Sequence, residues 1–317
     1  MLEGISVIVP VYNGVQSLNE LVKRLEPVLI SLGIERELIL VNDGSDDQSW
    51  EVICQLVEQN NWIRGINLMR NYGQHNALLV GIRIAVHEII VTMDDDLQHP
   101  PEEIIKLLNK LDEGHDVVYG TPKKQPHGFW RGVASRITKL AFQTTMGAEI
   151  ATFASAFRAF RAKVGEAFSD YQGPFVSIDV LLTWGTKRFA FVTVHHDTRQ
   201  IGISNFTFRM LVRHALNMMT GFSTLPLQVA SLMGFCLTLF GIGVLVLVVA
   251  RYMFEGSSVP GFPFLASVIS IFSGAQLFAI GIIGEYLARM HFRMMGRPHA
   301  AIRETAGFFS DQEREPS

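Results

Sequence analysis

Cysteine is nearly absent: Cys54 and Cys236 are the two in 317 residues. Their spacing excludes a disulfide framework and a cysteine-based zinc site. A surplus of positive charge is also lacking. The formal net charge is −3, whereas a nucleic-acid partner would favour a basic surface. The chain has no internal repeat and no low-complexity tract. It shows no signal peptide, because Met1-Leu-Glu-Gly leads straight into an apolar run; the amino-terminal part is therefore expected in the cytosol. Charge is missing altogether from Leu225–Ala250 and from Gly256–Gly284. Each stretch exceeds the roughly 20 residues that carry a helix across a bilayer core. Two membrane spans are expected. Arg209, Arg213 and His214 precede the first, and Arg289, Arg293 and Arg297 follow the second. The loop between them holds one cation, Arg251, so the positive-inside bias puts both outer flanks in the cytosol.

What is present before the apolar tail is an alternation. Ile5–Val9, Leu38–Val41, Ile63–Asn67, Glu88–Thr92, Asp116–Gly120 and Phe189–Val194 are short apolar runs rich in β-branched residues. They read as buried strands. Amphipathic stretches separate the first five, which predicts an α/β domain with a mostly parallel sheet. Ser17 and Glu20 have capping-box spacing ahead of the stripe Leu18, Leu21, Val22, Leu25, Leu29. Residues 129–146 predict a helix with Arg131, Arg136 and Lys139 among apolar residues. Both a surface helix and one lying on an anionic membrane fit that pattern. Residues 206–221 read as an interfacial helix, and the tail after Arg303 as mobile.

One stretch organises the rest: an apolar run that ends in Asp94-Asp95-Asp96-Leu-Gln98-His-Pro-Pro101. The prolines and Glu102-Glu103 suit the first turn of a helix. The acids thus sit at the carboxyl end of a strand, the edge where open α/β sheets bind ligands. On an extended chain Asp94 and Asp96 point the same way and Asp95 turns away. Two readings fit. One is a solvated acidic loop with a helix cap. The other is a pair of carboxylates sharing a hard divalent cation. Similarly, Asn42-Asp43-Gly44-Ser45 at a strand end fits either a base or ribose contact or an ordinary Asx turn. Arg70 with the amides around Gly73 fits a diphosphate site or a plain loop. His195-His196 fits a metal pair less well than ordinary strand-end histidines, since neighbours on a strand point to opposite faces.

Asp-Asp-Asp-Leu-Gln-His-Pro-Pro-Glu resembles the metal-binding signature of family 2 glycosyltransferases, in particular the polyprenyl-phosphate branch that includes dolichol-phosphate mannose synthase and bacterial undecaprenyl-phosphate sugar transferases. Ser6-Val-Ile-Val-Pro-Val-Tyr-Asn13, Arg70-Asn-Tyr-Gly-Gln-His75, Phe153–Arg161 and Arg199-Gln-Ile-Gly-Ile-Ser204 resemble further segments of it. The resemblance covers about residues 4 to 300. It implies a GT-A catalytic domain followed by interfacial helices and two transmembrane helices. It implies Mg²⁺ or Mn²⁺ at Asp94, Asp96 and Gln98. Nucleotide-sugar contacts fall by the same resemblance on Pro10, Tyr12, Asn13, Asp43, Arg70, Asn71, Gly73 and Asp95. Acceptor-phosphate contacts fall on Arg131, Arg136, Arg158, Arg199 and Ser204.

Three positions depart from the pattern. Asn42 replaces an acid, which leaves Asp43 as the base contact. Thr152 stands where an Asp is usual, so Asp179 is the remaining candidate base, with a capping or pairing role as the alternative. Asn205 replaces a Lys. The implied partition is a cytosolic catalytic domain (1–205), an interfacial helix (206–222), a transmembrane hairpin (223–288) and a juxtamembrane helix with a mobile tail (289–317). The implied enzyme sits in a bacterial inner membrane, with homo-tetramers by analogy. It moves a sugar from a nucleotide diphosphate sugar, UDP-linked by preference, to undecaprenyl phosphate with inversion. The product would feed O-antigen or lipopolysaccharide modification. Two alternatives stand beside it: transfer to a hydroxyl, as in polysaccharide synthases, and a non-enzymatic membrane protein that binds nucleotide sugars.

Overall fold

The computed structural model describes residues 3–122, 150–172, 176–197, 225–255, 261–296 and 298–307. The expected helices at 129–146 and 206–221 lie outside them. The first half follows the predicted alternation: β1 (Gly4–Val11), α1 (Leu18–Ser31), β2 (Glu35–Asn42), α2 (Ser49–Gln59), β3 (Ile63–Leu68), α3 (Gln74–Ile84) and β4 (Ile89–Thr92). A 3₁₀ turn over Pro101–Glu103 then leads into α4 (Ile104–Asp112) and β5 (Val117–Pro122). The proline at its start fits there because its missing N–H is an orphan in a first turn anyway. Next come α5 (Ile150–Phe153), β6 (Arg158–Arg161), α6 (Ala162–Glu166), α7 (Ile178–Gly185) and β7 (Phe189–Val194). The apolar helices α8 (Leu225–Glu255) and α9 (Phe262–Met294) follow, and β8 (Ile302–Ala306) closes the order.

The eight strands form one sheet in the order β7-β5-β6-β4-β1-β2-β3-β8. The central strands β4, β1, β2 and β3 pair in parallel. β6 runs antiparallel to β4 and β5, and β8 runs antiparallel to β3. Every residue of β1 is buried, as expected for a strand covered on both faces. Its side chains alternate between two cores. Val7, Val9 and Val11 join Leu38, Leu40 and the stripes of α1 and α4. Ile8 joins Ile39, Val41, Leu78, Leu79 and Leu181 on the other face. The result is three layers, with helices on both sides of the sheet.

Two local expectations change. The Ser17 hydroxyl makes no cap hydrogen bond; it donates instead to the Gly14 carbonyl at 3.0 Å. Ile302–Ala306, which reaches into the stretch expected as a mobile tail, is a strand of the sheet. The α/β unit is therefore completed by residues that follow the apolar helices.

Those helices differ from the rest. Within them Leu227–Val244 has a mean hydropathy of 1.9 and is 6% buried, and Ile271–His291 has 1.5 and is 0% buried. Both are long and apolar enough to cross a membrane. At 1.5 Å per residue each runs for more than about 45 Å, against a hydrocarbon core of about 30 Å. They pack on each other, with Gly241 against the Phe272 ring.

Candidate active site

The strand order has a switch point. From β1 the chain moves outward through β2 and β3, then returns to place β4 on the other side of β1. A crevice opens at the carboxyl ends beside such a point, and ligands of open α/β sheets bind there. Here the turns after β1, β2, β3 and β4 bring Tyr12–Gly14, Asn42–Ser45, Arg70–Gly73 and Asp94–Asp96 to one rim.

The acids leave the strand before they begin. β4 stops at Thr92, so the alternation expected of an extended chain does not govern them. The turn is tight, and Leu97 takes a φ of 58°. Asp94 Oδ1 accepts a hydrogen bond from Gln74 Nε2 of α3 at 2.5 Å. Asp95 instead lies against Gly14 of the β1 turn, where a Cβ would collide with its carboxylate. Asp96 Oδ1 accepts the Gln98 amide at 3.1 Å. Among the described residues no three His, Cys, Asp or Glu side chains gather into a metal cage. Two carboxylates and the side-chain oxygen of Gln98 are a different kind of donor set. They suit a hard divalent ion that takes its remaining ligands from substrate phosphates and water.

The nucleotide candidates brace one another. Asp43 is 3% exposed, and its carboxylate accepts the amides of Tyr72 at 2.7 Å and Gly73 at 2.8 Å. Burial raises its pKa, while those two amides and the Arg70 charge oppose the rise. The residue expected at the base and the amides expected at the diphosphate thus hold each other. Gly44, at φ 64°, lets the two turns meet; a Cβ there would run into the backbone of Arg70 and Asn71. Gly73 has a φ of 94° at the start of α3, a conformation open to glycine and costly to other residues. Arg70 lies over the Tyr72 ring at 4.4 Å, and Asn71 is exposed. Pro10 is buried near the end of β1, Tyr12 is half exposed, and Asn13 has a φ of 55°. Asn13 and Ser45 join the first two turns, since the Asn13 amide donates to Ser45 Oγ at 2.9 Å.

On the acceptor side, Arg158 is the one expected residue among those described. Arg131, Arg136, Arg199 and Ser204 lie outside the described residues. Arg158 is 1% exposed. Its guanidinium pairs with Asp179 of α7, donates to Thr92 Oγ1 at 3.0 Å and lies 5.9 Å over the Tyr119 ring. Burial, then the Asp179 carboxylate, push the Tyr119 phenol well above its usual range. Arg158 and Asp179 therefore form a buried pair behind the end of β4.

Four contributors escaped the sequence reading. Gln74 lay inside the Arg70–His75 hexapeptide but had no assigned partner. His99 stacks on Phe157 at 5.2 Å and meets the His196 ring edge-on at 4.9 Å. Burial, then His196, lower its pKa to about 4 against the pull of Asp96. His195 pairs with Asp197 at 3.0 Å, so the two adjacent histidines do separate. The last two, Asn67 and Glu304, bond to each other across β3 and β8 at 2.9 Å. No local signal marks that contact.

The model of the family described as Glycosyl transferase family 2 matches residues 6–168. Among solved structures the chain is similar to glucosyl-3-phosphoglycerate synthase from Mycobacterium tuberculosis. Its complex with phosphoglyceric acid gives a TM-score of 0.51 at 18% identity, covering 69% of this chain and 79% of that one. Its complex with Mn²⁺, UDP-glucose and phosphoglyceric acid gives 0.52 at 16%, covering 69% and 78%. The complex with Mn²⁺, UDP and glucosyl-3-phosphoglycerate gives the same four values. The likeness establishes the GT-A fold.

Proposed function

The chain belongs to glycosyl transferase family 2, and from that premise we propose that it moves a sugar from a nucleotide diphosphate sugar, UDP-linked by preference, to polyprenyl phosphate at a membrane surface. It is a glycosyltransferase by family; the donor, the acceptor and the roles below are the proposal. One observation carries the lipid half. After two exposed apolar helices the chain re-enters the catalytic sheet, with Ile302 of β8 opposite Leu68 at the carboxyl end of β3. Ile302 lies eight residue steps beyond Met294, a reach of at most about 28 Å. The rim that carries Arg70–Gly73 is thus tethered close to the end of a membrane-length helix. The acceptor's phosphate never leaves the lipid–water boundary, so a rim held there meets it without extracting the lipid. Both ends of the hairpin lead back to one sheet, which supports a reading with the two ends on the same side. The charge bias of the flanks makes that side the cytosol, in a bacterial inner membrane.

In this reading Asp94, Asp96 and Gln98 hold Mg²⁺ or Mn²⁺ together with the diphosphate. When bound, the ion offsets charge on the departing nucleotide. The M. tuberculosis synthase structures with Mn²⁺ and UDP-glucose support that donor chemistry. Gln74 fixes the Asp94 carboxylate. The β1 and β2 turns face the nucleoside, and Arg70 faces the phosphates. A phosphate oxygen of the acceptor attacks the anomeric carbon from the face opposite the leaving diphosphate. One carbon–oxygen bond forms, one breaks, and the configuration inverts. A phosphate monoester loses its second proton near pH 6, so this nucleophile needs alignment and screening more than a base. That agrees with an Asp179 already committed to Arg158, and it disfavours a hydroxyl acceptor, which would need a free base.

Membranes holding the protein, incubated with undecaprenyl phosphate and labelled nucleotide sugars, test the proposal. Label should enter lipid only with Mn²⁺ or Mg²⁺ and be released by mild acid. Asp94→Asn or Asp96→Asn should lower the rate by about 100-fold or more. Label in a free phosphoglycerate instead of lipid, or in acid-stable product, would overturn the acceptor assignment.

A further inference from the structure

Five polar residues form an unbroken chain across the rim, from the last strand to the first turn. Glu304 Oε1 of β8 accepts from Asn67 Nδ2 at 2.9 Å. Asn67 Oδ1 accepts from Asn42 Nδ2 at 2.8 Å. Asn42 Oδ1 accepts from Ser45 Oγ at 2.5 Å. Ser45 Oγ accepts the Asn13 amide at 2.9 Å. Asn13 Oδ1 in turn accepts the Asp46 amide at 2.9 Å. Asn42 and Asn67 are 2% and 6% exposed, so water cannot readily replace a lost partner, and each orphaned group is costly.

The chain has a direction. An ionised carboxylate only accepts, whereas an amide side chain presents one accepting and one donating end. Glu304 therefore turns the Asn67 nitrogen toward itself and leaves the Asn67 oxygen for Asn42. That oxygen requires the nitrogen of Asn42, whose own oxygen is left to take the Ser45 hydroxyl. Ser45 is then free to accept the Asn13 amide. An Asp at 42 would reverse the order. It would call the Asn67 nitrogen to itself and leave the Asn67 oxygen facing the Glu304 carboxylate.

We propose that Glu304 is a positioning residue for the nucleotide turns, matched to Asn42 through Asn67, so that the strand returning from the apolar hairpin sets the shape of the donor pocket. The inference rests on reading the β1 and β2 turns as that pocket. It makes the return strand part of the donor site. Glu304 is exposed and 237 residues from Asn67 in sequence, yet its role as a hydrogen-bond acceptor reaches Asn13.

The test uses the full chain in detergent with four variants: Glu304→Ala, Glu304→Gln, Asn42→Asp and the double Asn42→Asp/Glu304→Gln. Two quantities are read: amide exchange of residues 11–16 and 42–46 without nucleotide, and calorimetric affinity for UDP with Mn²⁺. Glu304→Ala and Asn42→Asp should each speed exchange at Asn13 and weaken UDP by about fivefold, one hydrogen bond's worth. Glu304→Gln keeps an accepting oxygen and should match wild type. The double variant should recover both readouts, because the Gln amide donates to the reversed Asn67. In turnover, Glu304→Ala should raise KM for the nucleotide sugar and leave kcat in place. A double variant no better than Asn42→Asp, or Asn13 exchange unchanged in Glu304→Ala, overturns the relay. A wild type that holds no UDP overturns the pocket assignment instead.

Discussion

The α/β domain and the apolar hairpin use the same side chains in opposite ways. In the domain Leu40, Ile39, Val91 and Leu181 are each 0% exposed. In the hairpin Leu239, Phe240, Leu247 and Leu277 are 53%, 60%, 69% and 69% exposed. Full burial of one such side chain contributes about 1.5–3 kcal/mol. The domain collects that from its own chain. The hairpin leaves it uncollected in water, which is the physical ground for the membrane surroundings proposed above. Charge divides in the same way. The domain encloses Arg158 with Asp179, while Glu285 and Arg289 near the hairpin's end pair at 2.6 Å through a half-exposed acid.

The largest expected effect breaks the comparison at those two pairs. Removing one partner of a buried ion pair strands the other and costs about 3–5 kcal/mol. Arg158→Ala should therefore lower the unfolding free energy of the domain by that amount, read from denaturant melts in detergent. Glu285→Ala should change it by less than about 0.5 kcal/mol, the worth of an i,i+4 helical pair whose acid is half exposed. Equal losses would mean that the two regions do not differ as described.

A charge placed in the hairpin sharpens the contrast. Leu239 is 53% exposed, so in a soluble protein Leu239→Lys would fall within about ±0.5 kcal/mol. In a bilayer the same change costs about 2.5–3.5 kcal/mol near a span's centre. Carbonate-resistant membrane retention should drop in the variant. Wild type and variant both recovered in the soluble fraction would remove the lipid surroundings from the account.

The same contrast explains what could be read from residue order. Ile5–Val9, Leu38–Val41 and Ile63–Asn67 are buried on both faces, so composition alone marks them as strands. The hairpin is legible for a related reason, its lack of charge. β6 is not, because Arg158-Ala-Phe-Arg161 begins and ends in cations and one of them is buried only through Asp179. β8 is polar, and its partner strand lies more than 230 residues earlier, so tertiary pairing decides it. At the site, the acids were legible as a group but their aim was not, since β4 ends two residues before Asp94. Asp43 and Gly73 were each legible as candidate ligand contacts. Their bond to one another depends on how two turns dock, which no local pattern encodes.

The smallest effect lies where the two regions join. His299, between α9 and β8, stacks on Tyr171 at 5.8 Å and bonds its carbonyl at 2.5 Å through Nε2. Burial lowers the His299 pKa; the Tyr171 carbonyl opposes that, and the Arg83 guanidinium adds to it. Arg83 itself donates to the Ser169 and Tyr171 carbonyls at 2.8 and 2.7 Å and feels Asp170 nearby. A depressed folded pKa means that the unfolded segment takes up a proton first. Its stabilising contribution is whole above the unfolded value of about 6.5 and is lost as pH falls through the lower folded value. Amide protection of residues 302–306, corrected for intrinsic exchange, should therefore decline as pH drops from about 7 to 5. In His299→Gln the decline should flatten. If protection in wild type holds constant across that range, the joint between hairpin and sheet does not depend on a neutral His299.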